Sequence, residues 1–171
     1  DHEIGRLIDE FRKRDLWDRM LTVFTSDHGE SLGEHGYYFD HGMLPFQDVL
    51  HVPFAVRYPG AIAPRVDPHP VEIMHLAPTV LEYAGANLKK GAWAQGRSLV
   101  DRLEGRADGR GTLAFSEAGY ATGRKWMHTV TDGRLKLVWA QRASDQGHLA
   151  GGRGVERVLY DIRSDPGETV D

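Results

Sequence analysis

"LTVFTSDHGESLGEHGYYFDHG", residues Leu21 to Gly42, decides how the chain reads. Leu21–Ser26 is apolar and β-branched without strict alternation, the pattern of a strand covered on both faces in a parallel sheet. It empties into a glycine-punctuated loop carrying His28, His35 and His41 among several carboxylates. In open parallel sheets, ligands bind beyond the carboxyl ends of the strands, and Asp27 and His28 fall at that edge. A carboxylate oxygen and an imidazole nitrogen on adjacent residues can face one divalent cation if the backbone turns sharply, a turn that Gly29 permits. Oxygen-rich ligation with one imidazole suits Ca²⁺, Mg²⁺ or Mn²⁺, with Zn²⁺ as an alternative. Two ligands are too few for any of these ions, so the others come from elsewhere. The plainer reading of an isolated Asp-His pair is a capped turn. Two more histidines in the same loop favour a site, because such a loop costs stability unless it serves one. A histidine at 41 can donate to an anionic substrate or protonate a leaving group.

Outward from this stretch, Ile4, Leu7, Ile8 and Phe11 follow the spacing of an amphipathic helix. Arg6, Arg12, Lys13 and Arg14 fall mostly on its solvated face. Phe46–Leu50 is a candidate helical turn, and Pro53–Tyr58 a second strand stopped by Pro59-Gly60. Leu76–Tyr83 reads as a helix with Pro78 in its first turn and Gly85 just past its end. A short helical pattern surrounds Leu99–Leu103. After residue 111 the texture changes to four strands, Thr112–Glu117, Lys125–Thr131, Leu135–Ala140 and Glu156–Ile162. Asp132-Gly133 signals a hairpin between the second and third. Residues 141–155, with four glycines, read as a mobile loop. The expected class is α/β, a sheet with helices over residues 1–110 followed by a small antiparallel sheet over 111–171.

Composition sets the outer bounds. The chain has 171 residues and a formal net charge of −4, which argues against a nucleic-acid binder with its basic stripe. No apolar run approaches the roughly 18 residues of a membrane span. There is no cysteine, so thiolate ligation and disulfides are excluded and the redox compartment is not legible. The first residue is Asp1 inside a helical pattern, so a fragment or processed chain is expected and localisation stays open.

Phe24–Gly42 followed by His51-Val52-Pro53-Phe54 resembles the sulfatase family of the alkaline phosphatase superfamily. Leu76-Ala77-Pro78-Thr79-Val80-Leu81 with Ala84-Gly85, and Gln95-Gly96-Arg97-Ser98-Leu99, resemble two further family segments. Ser116-Glu117, Lys136-Leu137, Leu159-Tyr160-Asp161-Ile162 and Asp165-Pro166-Gly167-Glu168 resemble the strands and closing turn of its C-terminal subdomain. The resemblance runs from Ile4 to Glu168. It implies that Asp27 and His28 bind the active-site cation, Ca²⁺ first, and that His41 contacts the sulfate or its bridging oxygen. It implies a structural role for His35. His75, just ahead of a helix, is expected to be partly exposed. Tyr37, Tyr38 and Phe39 are expected to pack the loop down rather than meet a substrate.

The family's C/S-x-P/A-x-R motif, whose cysteine or serine becomes the formylglycine nucleophile, does not occur in these residues. Nor do the paired aspartates that complete the family's cation site. The chain therefore reads as a carboxyl-terminal portion of a sulfatase, inactive alone, whose upstream part completes the fold and supplies formylglycine. The implied substrate is a small-molecule or carbohydrate sulfate ester. Family members are often exported or periplasmic. Rival readings are a phosphonate or phosphodiester hydrolase, a phosphoethanolamine transferase, or a noncatalytic remnant that keeps the fold and binds no metal.

Overall fold

The structure is a computed structural model, and it describes residues 1–41, 44–86, 95–119, 126–140 and 157–169. The expected mobile loop at 141–155 lies outside the described residues. In chain order the elements are α1 (His2–Lys13), β1 (Thr22–Thr25), β2 (Ser31–Leu32), β3 (Tyr38–Asp40), α2 (Gln47–Leu50), β4 (Phe54–Arg57), α3 (Leu76–Tyr83), α4 (Val100–Leu103), β5 (Ala114–Gly119), β6 (Trp126–Thr131), β7 (Leu135–Ala140) and β8 (Arg157–Asp161). They form two compact units interleaved along the chain. One takes residues 1–25, 54–67 and 73–108; the other takes 26–53, 68–72 and 109–171. The loop after β1 thus folds with the C-terminal sheet, across the linear division at residue 110.

In the first unit, α1 pairs Arg6 with Glu3, Arg12 with Asp9 and Lys13 with Glu10 at 2.7–3.0 Å, all exposed. This is the solvated face expected from the charge pattern. β1 pairs with β4, and the pairing is antiparallel, with Val23 opposite Val56. The parallel partner expected for Leu21–Ser26 is absent among the described residues, and Phe24 is exposed. An apolar, β-branched run fixes that a segment is extended. It does not fix the direction of whatever pairs with it. α3 ends as its residues dictate. Gly85 takes a left-handed φ of 72°, and Ala86 N–H reaches back to Leu81 O at 2.9 Å. His75 is buried, against the expected partial exposure. Its Nδ1 accepts from Arg97 N–H at 3.5 Å, while Thr79 donates to His75 O at 2.6 Å and accepts from Leu99 N–H at 2.9 Å. The Gln95–Leu99 segment therefore lies on the start of α3, and a Cβ on Gly96 would overlap Met74 O.

In the second unit, β5, β6, β7 and β8 form an antiparallel sheet in that order. Alternation sends Met127, Val138, Val158 and Tyr160 to one face, where they pack with Leu44 and Phe46. The Phe46 ring meets Tyr160 edge-on at 6.2 Å. The hairpin between β6 and β7 is built by Asp132 and Gly133. The Asp132 carboxylate accepts the N–H groups of Arg134 and Leu135, both at 2.8 Å, and Gly133 has a φ of 90°. Those two bonds hold the Asp132 carboxyl below its ordinary value. A depressed carboxyl stabilises the fold above its unfolded pKa, and the contribution is lost as pH falls through the lower folded value. Asp132→Ala is therefore expected to cost about 1 kcal/mol at pH 7. The gap in urea midpoint from wild type should close on acidification below about pH 4. A gap that persisted undiminished to strongly acidic pH would show that the turn does not depend on the carboxylate charge.

Candidate active site

Asp27 and His28 follow β1 directly in the chain and belong to the second unit. Ser26 Oγ donates to His28 O at 2.7 Å, and His28 N–H donates to Asp27 Oδ1 at 3.1 Å. These local bonds turn both side chains to the same side, with His28 Nε2 3.7 Å from Asp27 Oδ2. The carboxylate is 87% exposed. Its pKa lies below the ordinary aspartate value, first through its own backbone N–H, then through the His28 charge and the His28 N–H. His28 Nδ1 lies 2.7 Å from Gly29 O. A ring nitrogen beside a carbonyl must donate, so in the neutral imidazole the lone pair falls on Nε2, on the Asp27 side.

Gly29 serves this loop in a way its sequence context did not reveal. Its φ is not left-handed, so a turn conformation is not what requires glycine. The reason is close approach. A Cβ at this position would overlap Asp48 O and lie 3.2 Å from Val49 Cα, and Gly29 N–H donates to Val49 O at 2.7 Å. The α2 backbone thus lies against the loop that carries His28.

The chain then turns back through β2 and β3, where Ser31 faces Asp40 and Leu32 faces Tyr38. Ser31 Oγ bonds to the Glu34 and Tyr37 carbonyls at 3.1 and 3.2 Å and fixes the hairpin. Its return places the His41 ring face to face with His28, centroids 3.9 Å apart and planes 13° from parallel. His41 Nδ1 is 3.2 Å from the Glu30 carboxylate. Sequence reasoning passed over Glu30; the available signal was an acidic residue two positions after His28 in the same loop. His35 takes a φ of 52° and stacks on the buried Phe46 ring at 3.7 Å, a packing role. Tyr37 packs against the core, but Tyr38 and Phe39 stand exposed, Phe39 at 80%. The expectation that all three pack the loop down holds only for Tyr37; Phe39 adopts a left-handed φ of 54°. A depression beside the hairpin is lined by His35, Asp40, His41 and Asp48 among others.

The donor set of Asp27 and His28 fits a divalent cation that accepts oxygen and one imidazole. Among the described residues, no cluster of three or more carboxylate and imidazole groups is arranged to hold a metal ion. Two stacked imidazoles cannot both ligate one ion, because each lone pair lies in its ring plane and the planes here are nearly parallel.

The fold is that of the alkaline-phosphatase-like hydrolases, with helices, short strands and a four-stranded antiparallel C-terminal sheet. The chain belongs to the sulfatase family, whose family model matches residues 1–86. It is 30% identical over 169 residues to a choline-sulfatase of Rhizobium meliloti, covering 97% of this chain and 29% of that protein. It is 28% identical over 170 residues to an N-acetylglucosamine-6-O-sulfatase of Bacteroides thetaiotaomicron, covering 98% of this chain and 29% of that one. A structure solved with its substrate D-glucosamine-2-N,6-O-disulfate aligns over 99% of this chain and 33% of its own, with a TM-score of 0.75 and 26% identity. The chain thus spans less than a third of the length of these two curated relatives.

Proposed function

We propose that the protein acts as a sulfuric ester hydrolase, with Asp27 and His28 contributing part of a divalent-cation site and His41 facing the substrate. Residues 1–110 would be the carboxyl-terminal part of the catalytic α/β domain, and 111–171 its small antiparallel subdomain. The observation that carries this reading is the convergence of Asp27 Oδ2 and His28 Nε2 beside the stacked His41, in a chain of the sulfatase family. Ca²⁺ is the favoured ion, with Mn²⁺, Mg²⁺ and Zn²⁺ as alternatives. Such an ion, when bound, supplies positive charge that draws in and polarises an anionic ester.

The residues of this chain would then do three things. The Asp27 carboxylate and the His28 Nε2 lone pair hold the cation, and Gly29 O keeps the His28 tautomer that exposes that lone pair. Glu30 accepts from His41 Nδ1–H and orients the ring. As imidazolium, His41 offers Nε2–H to the sulfate or to the oxygen that leaves with the alcohol. The nucleophile, a formylglycine on the family pattern, would come from sequence outside these 171 residues. The substrate class is a small-molecule or carbohydrate sulfate ester.

The test is hydrolysis of an aryl sulfate by the full-length protein, with and without chelator. Activity should require the cation, and Asp27→Ala should abolish cation binding, and activity with it, because a charged ligand is gone. The 171-residue chain alone should be inactive. Preference for a phosphonate or phosphodiester over the sulfate ester would move the protein to a neighbouring family of the superfamily. Absence of any cation-dependent hydrolysis would make it noncatalytic.

A further inference from the structure

The C-terminal sheet carries a buried charge pair that the proposed chemistry does not use. Lys136 Nζ lies 2.6 Å from Glu168 Oε1, and the two side chains are 0% and 1% exposed. The other oxygen, Oε2, accepts the backbone N–H of Gln47 at 2.6 Å across a separation of 121 residues. Lys136 Nζ also lies 3.4 Å from Gln47 Oε1. A buried pair of this kind is often no more stable than apolar residues of the same size, so its presence calls for something the carboxylate does. Here it satisfies a free N–H at the start of α2.

That element is a single turn, closed by Leu50 N–H to Phe46 O and His51 N–H to Gln47 O, both at 2.9 Å. One turn does not hold itself in place. Its anchors are the Phe46 ring in the core and Glu168 on Gln47. From α2, the Val49 carbonyl takes Gly29 N–H and the Asp48 carbonyl leaves no room for a Cβ on Gly29. Gly29 O in turn takes His28 Nδ1–H. A continuous set of contacts therefore runs from Glu168 through the α2 backbone and Gly29 to the His28 ring.

We propose that Glu168, held by Lys136, is a positioning residue that sets the Asp27–His28 loop through α2 and so tunes its affinity for a divalent cation. This rests on the sulfatase reading for its catalytic meaning, but its test reads binding directly. Two double variants of the full-length protein isolate the contact. Lys136→Met/Glu168→Gln removes both charges and keeps a carbonyl acceptor for Gln47 N–H. Lys136→Met/Glu168→Ala removes the acceptor as well.

By calorimetric titration with Ca²⁺, the glutamine variant should bind within about threefold of wild type and the alanine variant about tenfold more weakly, the scale of one lost buried hydrogen bond. KM for an aryl sulfate at saturating Ca²⁺ should not change. Val158→Ala, which trims the same core but leaves the Glu168–Gln47 bond intact, should lower the melting temperature and leave Ca²⁺ affinity unaltered. Should the alanine variant fail to fold, Lys136→Met/Glu168→Asn, neutral and too short to reach Gln47, takes its place with the same expectation. Equal affinities for the two double variants, or an equal loss in Val158→Ala, overturns the proposal. Wild-type protein that binds Ca²⁺ and hydrolyses no sulfate ester would overturn the sulfatase reading alone. Wild-type protein that binds none of Ca²⁺, Mn²⁺, Mg²⁺ and Zn²⁺ would overturn both.

Discussion

Lys136→Met with Glu168 left in place should lower stability by about 3–5 kcal/mol, the usual cost of stranding one member of a buried ion pair. The pair has no solvent to fall back on, since neither side chain is more than 1% exposed. Burial alone pushes the Lys136 ammonium below the ordinary lysine value, and the Glu168 carboxylate pulls the other way. Remove the ammonium and the carboxylate keeps only the Gln47 N–H in an apolar surround of Phe46 and the β6–β8 core. Urea denaturation of the full-length protein measures the loss. The double replacement Lys136→Met/Glu168→Gln should recover most of it, because two neutral groups replace an unbalanced charge. If the single variant lost less than about 1 kcal/mol, within the range of an exposed pair, the two groups would have to be solvated in solution.

His41→Ala in the full-length protein should lower kcat by roughly 10² to 10⁴, the usual worth of a positioned general acid, with cation affinity nearly unchanged. The alcohol of a sulfate ester leaves as a poor alkoxide unless a proton meets it. In the proposed site, the stacked geometry would separate the two histidines by task. His28 Nε2 lies on the Asp27 side in its own ring plane, and the His41 ring, its centroid 3.9 Å away in a second plane, is tied to Glu30. Titrating Ca²⁺ against His41→Ala and Asp27→Ala separates a lost proton donor from a lost ligand. An equal loss of cation affinity in both would make His41 a ligand. No change in either property would make it structural, with His35 the next histidine to test.

Residues 1–171 by themselves determined the elements whose signals are local. The i, i+3, i+4, i+7 pattern from Ile4 marks α1, and Pro78 with Gly85 brackets α3 at Leu76–Tyr83. Asp132-Gly133 fixed the β6–β7 hairpin, because that turn needs a carboxylate acceptor and a left-handed glycine within a few residues. The Asp27-His28 pair was legible as a candidate ligand set because its donors are adjacent in the chain. Tertiary structure decided the rest, where partners lie far apart. The direction of β1 depended on β4, about thirty residues on. The need for glycine at 29 came from the α2 backbone rather than from any turn, and His75 was buried by a segment 22 residues downstream. The His28–His41 stack and the reach of Glu168 to Gln47 exist only with the hairpin and the sheet closed. Periodicity and turn chemistry report what a residue does to its own backbone. Which distant backbone or ring comes to meet it is set by packing, and only the folded chain carries that information.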